Sequence, residues 1–363
     1  MNKKELLKKM MFDLNNQNNL YKPGNYWKFY EKNIVKQILK NKLENFRKWE
    51  GGVGIGNIQS FGGGARETAR AFGMNLHPFE EKFLKIDNNF LIKIFNKIIN
   101  KLSKYIPILS FFYFRIALAR KYYFQNLENN FDLLFELIEN LDSKLLEVSD
   151  SKSGSPLGYY RNNKFYTYRF LTTLLEIYFI KKNSDFSNIN NIIELGAGTG
   201  LLASAFLKTK KNIKYFIVDI PPALYISEYF LKSLNYKVFG YNDLINQKEE
   251  NINFNDYQVI FLPSWKMYLL KKNNIDLFIN IASFQEMEKE QTSNYLNIIL
   301  DIEPKYIYLK NAIKGHYQAP KKEQFGVLNP TSMEHCETII EKQYALNKKE
   351  VKDGNYKSLF KKK

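Results

Sequence analysis

Cysteine is almost absent from this sequence, which contains a single one, Cys336. One cysteine excludes an intramolecular disulfide and suits a reducing compartment. Long apolar runs are missing too: the most apolar window, residues 106–119, is interrupted by Pro107 and Arg115 and falls short of the roughly 20 residues that a membrane span needs. The Lys/Asn-rich start of the chain also lacks the apolar run of a signal peptide. We therefore expect a soluble protein of the cytoplasm without a transmembrane segment.

Acidic residues are outnumbered, since Lys and Arg total 54 against 37 Asp and Glu, giving a formal net charge of +17. Such an excess suits a nucleic-acid partner, because lysines and arginines displace counterions from a phosphate backbone. The lysines are dispersed, however, and only Lys361–Lys363 form an uninterrupted run of three. We expect a solvated basic surface and no stable nucleic-acid partner. Attraction to anionic substrates, or to lipid head groups at the inner face of the membrane, stays open.

The first half of the chain has apolar residues at helical spacing, for example over residues 90–102 and 114–148. Glycine-rich segments at 51–56 and 62–64 enclose Gln59 and Ser60 and lead into Arg66. Glycine at this density indicates tight turns or close backbone approach. A flexible linker is the alternative, but the interleaved Ile, Gln and Phe favour an ordered loop that binds substrate through Gln59, Ser60 and Arg66.

A Ser/Gly/Pro-rich segment, residues 151–158, marks a boundary in the chain. Beyond residue 190 the pattern changes to short apolar runs separated by helical segments. Five runs are predicted as strands buried on both faces: 192–195, 215–218, 259–262, 277–281 and 306–309. Alternating strands and helices predict an α/β domain with a mostly parallel sheet, in which ligands bind beyond the carboxyl ends of the strands. We therefore divide the chain into a mainly helical region, 1–155, and an α/β domain, 156–363.

The first predicted strand of this domain leads directly into a glycine-rich loop, residues 196–200, and a helix follows. The spacing is G-x-G-x-G, because Leu201 stands where a dinucleotide fingerprint has its third glycine. Glu194 precedes the loop, and Asp219 ends the next strand at about the distance where a carboxylate meets ribose hydroxyls. S-adenosylmethionine suits this pattern, because it has a cationic sulfonium and ammonium but no pyrophosphate. A capping role for Asp219 before Pro221 is the structural alternative.

Residues 194–200 and 216–221 resemble the first two motifs of the class I S-adenosylmethionine-dependent methyltransferases. Residues 60–70, 276–287 and 308–311 resemble segments of the bacterial sugar O-methyltransferase family. The resemblance covers residues 45 to 320 and implies a Rossmann-like, seven-stranded methyltransferase sheet behind a helical N-terminal domain. It also implies methyl transfer to a sugar hydroxyl in the biosynthesis of a surface glycan, capsule or lipopolysaccharide. The predicted cofactor contacts are Glu194, Gly196, Ala197, Gly198, Gly200, Asp219, Ile220 and Asn280.

A sugar hydroxyl needs a general base near neutral pH. Two residues are candidates: His316, which follows a predicted strand, and Glu286, which lies just past another. We favour His316 slightly. Asn280 and Ser283 stand where metal-binding carboxylates would gather, so no metal is predicted.

Two other functions are compatible with the same cofactor motifs. A nucleic-acid methyltransferase would account for the positive charge, although Asp219-Ile220-Pro221-Pro222 lies on the cofactor strand and does not match the motif that holds a flipped base. A non-catalytic, cofactor-binding partner in a glycan pathway is the second. The acceptor of a sugar methyltransferase can be nucleotide-linked, lipid-linked or polymeric, and the sequence leaves this choice and the oligomeric state open.

Overall fold

The computed structural model describes residues 3–40, 43–48, 131–156, 158–316, 326–352 and 354–363. The chain separates into two compact units, one formed by residues 1–57 with 144–363 and the other by residues 58–143. In the second unit the described residues include a helical segment, 131–142, with Phe131, Phe135 and Ile138 buried. The boundary predicted near residue 155 falls within the first unit, which contains the sheet.

Eight α-helices with defined ends lie in the first unit. They are α1 (Lys3–Asn15), α2 (Asn25–Leu39), α3 (Tyr168–Asn183), α4 (Leu201–Thr209), α5 (Pro221–Lys232), α6 (Tyr241–Ile245), α7 (Lys289–Ile302) and α8 (Met333–Ile340). Their starts follow ordinary capping chemistry: the Thr167 side chain accepts from the Phe170 amide at the start of α3, and Pro221 opens α5. Short 3-10 segments connect several of these elements, including Asn19–Tyr21 and Phe284–Glu286.

The strands form a small hairpin and one large sheet. They are β1 (Tyr159–Arg161), β2 (Lys164–Tyr166), β3 (Asn191–Leu195), β4 (Lys214–Asp219), β5 (Val238–Phe239), β6 (Val259–Pro263), β7 (Leu277–Ile281), β8 (Tyr306–Ala312), β9 (Tyr344–Lys352) and β10 (Asn355–Lys362). β1 and β2 pair with each other, and the large sheet has the order β5-β6-β4-β3-β7-β8-β10-β9. β10 is antiparallel to both β8 and β9, and the other neighbouring pairs are parallel, so the sheet is mostly parallel.

The predicted α/β class is therefore confirmed, and the five predicted strands correspond to β3, β4, β6, β7 and β8. The described part of the large sheet contains eight strands, where seven were predicted. The sequence analysis did not predict β5, β9 and β10. β5 has only two residues, β9 and β10 are rich in lysine, and most β9 side chains are exposed at the sheet edge. No helix in the described part of the chain combines the length and apolar character needed to cross a membrane.

The strand order reverses beside β3, which is the topological switch point of the sheet. From β3 the chain crosses to β4 and then β6 on one side, and it returns to place β7 and β8 on the other. The central strands are buried on both faces, as in other parallel sheets covered by helices. The carboxyl ends of β3, β4, β7 and β8 consequently surround one opening.

The N-terminal helices belong to the same unit as the sheet. The hydroxyl of Tyr241 donates to Asp13 Oδ2 of α1 at 2.7 Å. Farther along, the guanidinium of Arg47 forms a buried ion pair with Asp150, with 2.6 Å between Nη2 and Oδ2, and Arg47 also donates to the Thr167 hydroxyl at the start of α3. A buried, bidentate pair is costly to break, because removing one partner leaves an uncompensated charge. These contacts fix α1 and the segment around Arg47 against the domain that carries the glycine-rich loop.

Candidate active site

A cleft of about 290 Å³ opens at the carboxyl ends of β3, β4, β7 and β8. Its walls combine the glycine-rich loop after β3, the end of β4, the residues that follow β7, one face of α3 and the N-terminal segment around α2. All of these elements lie in the first compact unit. The position agrees with the place where open α/β sheets bind ligands.

The glycine-rich loop has a backbone that only glycine adopts easily. Gly196, Gly198 and Gly200 have φ values of +77°, +58° and +77°, in the left-handed region. A Cβ atom on Gly196 would lie 2.1 Å from Ser283 Oγ, so the loop also passes very close to the turn after β7. Gly200 is the N-cap of α4. The glycines therefore set both the turn and its contact with the neighbouring strand end.

Asp219, at the end of β4, holds this loop in place. Its Oδ2 accepts from the Gly198 amide at 2.9 Å, and its Oδ1 accepts from the Ile220 amide at 2.7 Å. Burial raises the pKa of Asp219 to about 7, although the two amides act in the opposite direction. Asp219 and Ile220 both line the cleft. Asp219 does not cap α5, whose N-cap is Ile220 and whose start has no side-chain cap hydrogen bond. Its carboxylate instead connects the glycine-rich loop to the end of β4.

Glu194 is a second buried carboxylate on the cleft wall. Its Oε2 accepts a hydrogen bond of 2.8 Å from the Tyr215 hydroxyl, and its side chain is 4% exposed. Burial raises the pKa of Glu194 to about 8. Within the described part of the chain, neither Glu194 nor Asp219 has an ion-pair partner. A cationic ligand would supply the charge that these carboxylates lack, as the sulfonium and ammonium of S-adenosylmethionine would do.

Asn280 was predicted to contact the cofactor, but the structure places it beneath the cleft wall. Its side chain is fully buried and donates to the Leu195 carbonyl at 2.9 Å. Its Oδ1 accepts from the Phe284 amide and from the Asn311 side chain, each at 3.0 Å. Asn280 therefore connects the ends of β3, β7 and β8 and does not line the opening.

Glu286 lines the cleft and lies at the end of the 3-10 turn after β7. The indole N–H of Trp27, on α2, donates to Glu286 Oε2 at 2.9 Å. Burial raises the pKa of Glu286 to about 8, with the Trp27 hydrogen bond and the positive charge of Arg169 opposing the shift. Its Oε1 atom has no hydrogen-bond donor among the described residues. One oxygen is thus fixed by the N-terminal helix, and the other is available to a ligand.

His316 does not line the cleft, although it is close to it. Its amide donates to the Gln285 carbonyl at 2.9 Å, and its ring packs on Tyr26 with centroids 4.4 Å apart. Burial lowers the pKa of His316. The structure thus places Glu286 in the cleft wall, whereas His316 is outside the lining and contacts Tyr26 of α2. Gln59, Ser60 and Arg66, the predicted substrate-binding residues, lie outside the described residues.

Several cleft residues were missed by the sequence analysis. Residues 21–24 line the opening, and the Gln291 side chain fixes this loop by donating to the Lys22 carbonyl at 2.6 Å. Trp27 and Arg169 complete the walls. The sequence analysis did not single them out, because a contact between residues about 260 positions apart, such as Trp27 with Glu286, leaves no local pattern.

Metal ligands are not concentrated anywhere in the described part of the chain: no group of three or more His, Cys, Asp or Glu side chains is placed to hold an ion. Metal independence stays a prediction.

No family model matches this sequence, and no curated protein matches it. Among solved structures, the PH0226 protein of Pyrococcus horikoshii OT3 is 15% identical over 56% of this chain and 92% of its own, with a TM-score of 0.38. A SAM-dependent methyltransferase from Aquifex aeolicus is 14% identical over 50% and 86%, with a TM-score of 0.34. Magnesium protoporphyrin IX methyltransferase from Synechocystis PCC 6803, solved with bound SAH, is 10% identical over 53% and 81%, with a TM-score of 0.36. At these values the likeness assigns neither a family nor an activity to this chain.

Proposed function

We propose that this protein is an S-adenosylmethionine-dependent O-methyltransferase. The observation that carries the proposal is the hydrogen bond between the Gly198 amide of the glycine-rich loop and Asp219, at the switch point of the sheet. Glu194, a buried carboxyl without a cationic partner among the described residues, lies beside it on the cleft wall. A loop of this shape suits a ligand that lies against the backbone, and buried carboxylates without cations suit a positively charged ligand. The donor, when bound, supplies an electrophilic methyl group on a sulfonium.

The residues that line the cleft indicate which part of the donor each would hold. Asp219 and Ile220, at the end of β4, are placed for the ribose and adenine. The amides of Thr199 and Leu201, near the start of α4, have no acceptor among the described residues. They are suited to the carboxylate of the methionine portion, because helix N-termini favour anions. Glu194 then faces the cationic part of the ligand.

We assign the general base to Glu286 and not to His316. Glu286 lines the cleft with a free Oε1, whereas His316 does not line the cleft and packs its ring on Tyr26. Glu286 would accept the hydroxyl proton as the acceptor oxygen bonds to the methyl carbon and the sulfur–methyl bond breaks. The raised pKa of this carboxyl makes it a stronger base than an ordinary glutamate once it is ionised. A nearby sulfonium would favour that ionised form.

For the acceptor we propose a sugar hydroxyl in surface glycan assembly, a reaction of the cytoplasm that can take place at the inner membrane face. The resemblance of residues 60–70 and 276–287 to sugar O-methyltransferases supports this choice. Gln59, Ser60 and Arg66 stay predicted acceptor contacts.

The test has two parts. Calorimetry should detect binding of S-adenosylmethionine and S-adenosylhomocysteine, and absence of both would overturn the proposal. Methyl transfer from radiolabelled donor should then be measured on nucleotide sugars, lipid-linked oligosaccharides, polysaccharide and RNA. Transfer to RNA alone would identify a nucleic-acid methyltransferase. Donor binding without transfer to any of these acceptors would favour the non-catalytic partner of a glycan pathway.

A further inference from the structure

One face of α3 presents a polar stripe to the cleft. Arg169, Thr172, Thr173 and Glu176 follow the spacing i, i+3, i+4 and i+7, and all four line the opening. We call these four residues the α3 stripe. Polar side chains at every exposed turn of a helix that lines a cleft are suited to a polar ligand.

Arg169 is the unbalanced charge of this stripe. Its side chain is exposed to solvent within the cleft, and it forms no ion pair or hydrogen bond with any described residue. Its carbonyl accepts from Thr172 and Thr173, so only the backbone is engaged. The described charge that acts on Arg169 is the carboxylate of Glu286. The five N–H groups of a guanidinium are therefore available to a ligand.

Glu176, two turns farther along α3, already has positively charged partners. Its Oε1 lies 2.7 Å from Lys310 Nζ and 3.3 Å from Lys357 Nζ, and its Oε2 accepts from the Tyr308 hydroxyl at 2.5 Å. Burial alone would raise the pKa of Glu176, but the two lysines hold it below its ordinary value. Lys357 also lies opposite Glu350 in the β9–β10 pairing, so Glu176 and its two lysines have acidic and basic partners in balance. Arg169 is a cleft cation that has no ion pair among the described residues. Lys310 lines the cleft and is 29% exposed.

The two ends of the cleft therefore favour ligands of opposite charge. Around the glycine-rich loop, Glu194 and Asp219 have no cationic partner among the described residues. Beside α3 and β8, Arg169 has no ion pair among the described residues, and the partly exposed ammonium of Lys310, which is bonded to Glu176, keeps further N–H donors. A cationic donor is favoured at the first end, and an anionic group is favoured at the second.

We propose that Arg169 and Lys310 form an anion-binding subsite for the acceptor, which therefore carries a phosphate or a carboxylate close to the hydroxyl that is methylated. This inference rests on the proposed methyltransferase function. The donor carboxylate has its own partners in the amides of Thr199 and Leu201, which leaves the guanidinium for the acceptor. Both anions fit a guanidinium through paired hydrogen bonds, so the subsite alone does not choose between a sugar phosphate and a sugar acid.

The experiment uses the full chain saturated with S-adenosylhomocysteine. Glucose 1-phosphate, glucuronate and methyl glucoside are titrated separately and followed by saturation-transfer NMR, which detects weak binding. We expect one or both anions to bind and the neutral glycoside to bind at least about tenfold more weakly, the scale of a charge-assisted hydrogen bond. The anion that binds more tightly identifies the group, phosphate or carboxylate, that the subsite prefers.

Variants then assign the residues. Arg169→Gln and Lys310→Gln should each weaken the anions by about tenfold or more, whereas Lys314→Gln, on the exposed turn after β8, should leave them unchanged. Calorimetry should show S-adenosylhomocysteine affinity within about threefold of wild type in all three, less than one charged bond is worth. Equal binding of neutral and anionic sugars would overturn the subsite. A large loss of S-adenosylhomocysteine affinity in Arg169→Gln would assign Arg169 to the donor instead. Failure of wild type to bind S-adenosylhomocysteine would contradict the methyltransferase proposal itself.

Discussion

Replacing Glu194 with glutamine should remove a contribution of this buried carboxyl to the pH dependence of folding stability, and it should also weaken binding of a cationic ligand. Glutamine has the same shape and keeps an oxygen that can accept from the Tyr215 hydroxyl, but it cannot ionise. In the wild-type protein, burial raises the pKa of Glu194 from 4.5 to about 8. A carboxyl with a raised pKa stabilises the folded state while it is protonated. That contribution is complete below the pKa of the unfolded chain and is lost as the pH rises toward 8.

The size of the effect follows from this difference. Between pH 5 and pH 7 the unfolded chain has an ionised Glu194, whereas the folded protein keeps it protonated. Each pH unit over this interval lowers the free energy of unfolding by up to about 1.4 kcal/mol. The wild type should therefore lose about 2 to 3 kcal/mol relative to Glu194→Gln between these two pH values. Burying the glutamine amide changes the free energy of unfolding of the variant by an amount that does not depend on pH, so it leaves this expected difference between pH 5 and pH 7 unchanged.

The measurement is urea unfolding of both proteins at pH 5, 6, 7 and 8, followed by circular dichroism. Asp276→Asn is the matched control at the opposite end of the strands. Asp276 accepts from the Asn190 and Asn191 amides and pairs with Lys305, and these partners outweigh burial and lower its pKa. Its stabilising effect is present above its unfolded pKa of 3.8 and is lost only as the pH falls below that value, so wild type and Asp276→Asn should differ by a nearly constant amount between pH 5 and pH 8.

Donor binding supplies a second measurement on the same variants. Saturating S-adenosylmethionine should flatten the pH dependence of the wild type, because a nearby cation favours ionised Glu194. It should have little effect of this kind on Glu194→Gln, which should also bind the donor more weakly. Parallel pH curves for wild type and Glu194→Gln without ligand would refute the account of Glu194 as a buried, uncompensated acid.

Three further predictions concern single side chains of the cleft. Asp219→Ala should weaken S-adenosylhomocysteine binding by about 1–3 kcal/mol, measured by calorimetry on folded protein, and unchanged affinity would remove Asp219 from the site. Glu286→Gln should lower turnover by about 10²–10⁴ while His316→Ala keeps it within about tenfold, and wild-type activity should rise as the pH approaches about 8; the reverse ranking of the variants would restore His316 as the base. Gly196→Ala should destabilise the protein more than Gly354→Ala in thermal unfolding, because both have positive φ but only the first places a Cβ against Ser283; equal losses would contradict the close contact.

The sequence alone predicted the features of this protein that depend on neighbouring residues. A buried strand, a turn that requires left-handed glycines and the following helix are all encoded within residues 191–209. The acidic residue at the end of β4 is recognisable by its distance from that loop. Central parallel strands are apolar throughout, so their runs stand out in the sequence, whereas the exposed edge strand β9 has no such run.

The tertiary structure decided what depends on residues far apart in the chain. The sequence favoured His316 slightly over Glu286 as the base. Only the folded structure shows that Glu286, hydrogen-bonded to Trp27, lines the cleft, whereas His316, packed on Tyr26, does not. The polarity of the cleft has the same origin. The carboxyl groups of Glu194 on β3 and Asp219 on β4 have no cationic partner among the described residues. Glu176 on α3 pairs with lysines from β8 and β10, and the sheet order puts these two strands on the opposite side of β3 from β4. The net charge of a cleft depends on residues that are far apart in the sequence, so no local sequence pattern predicts it.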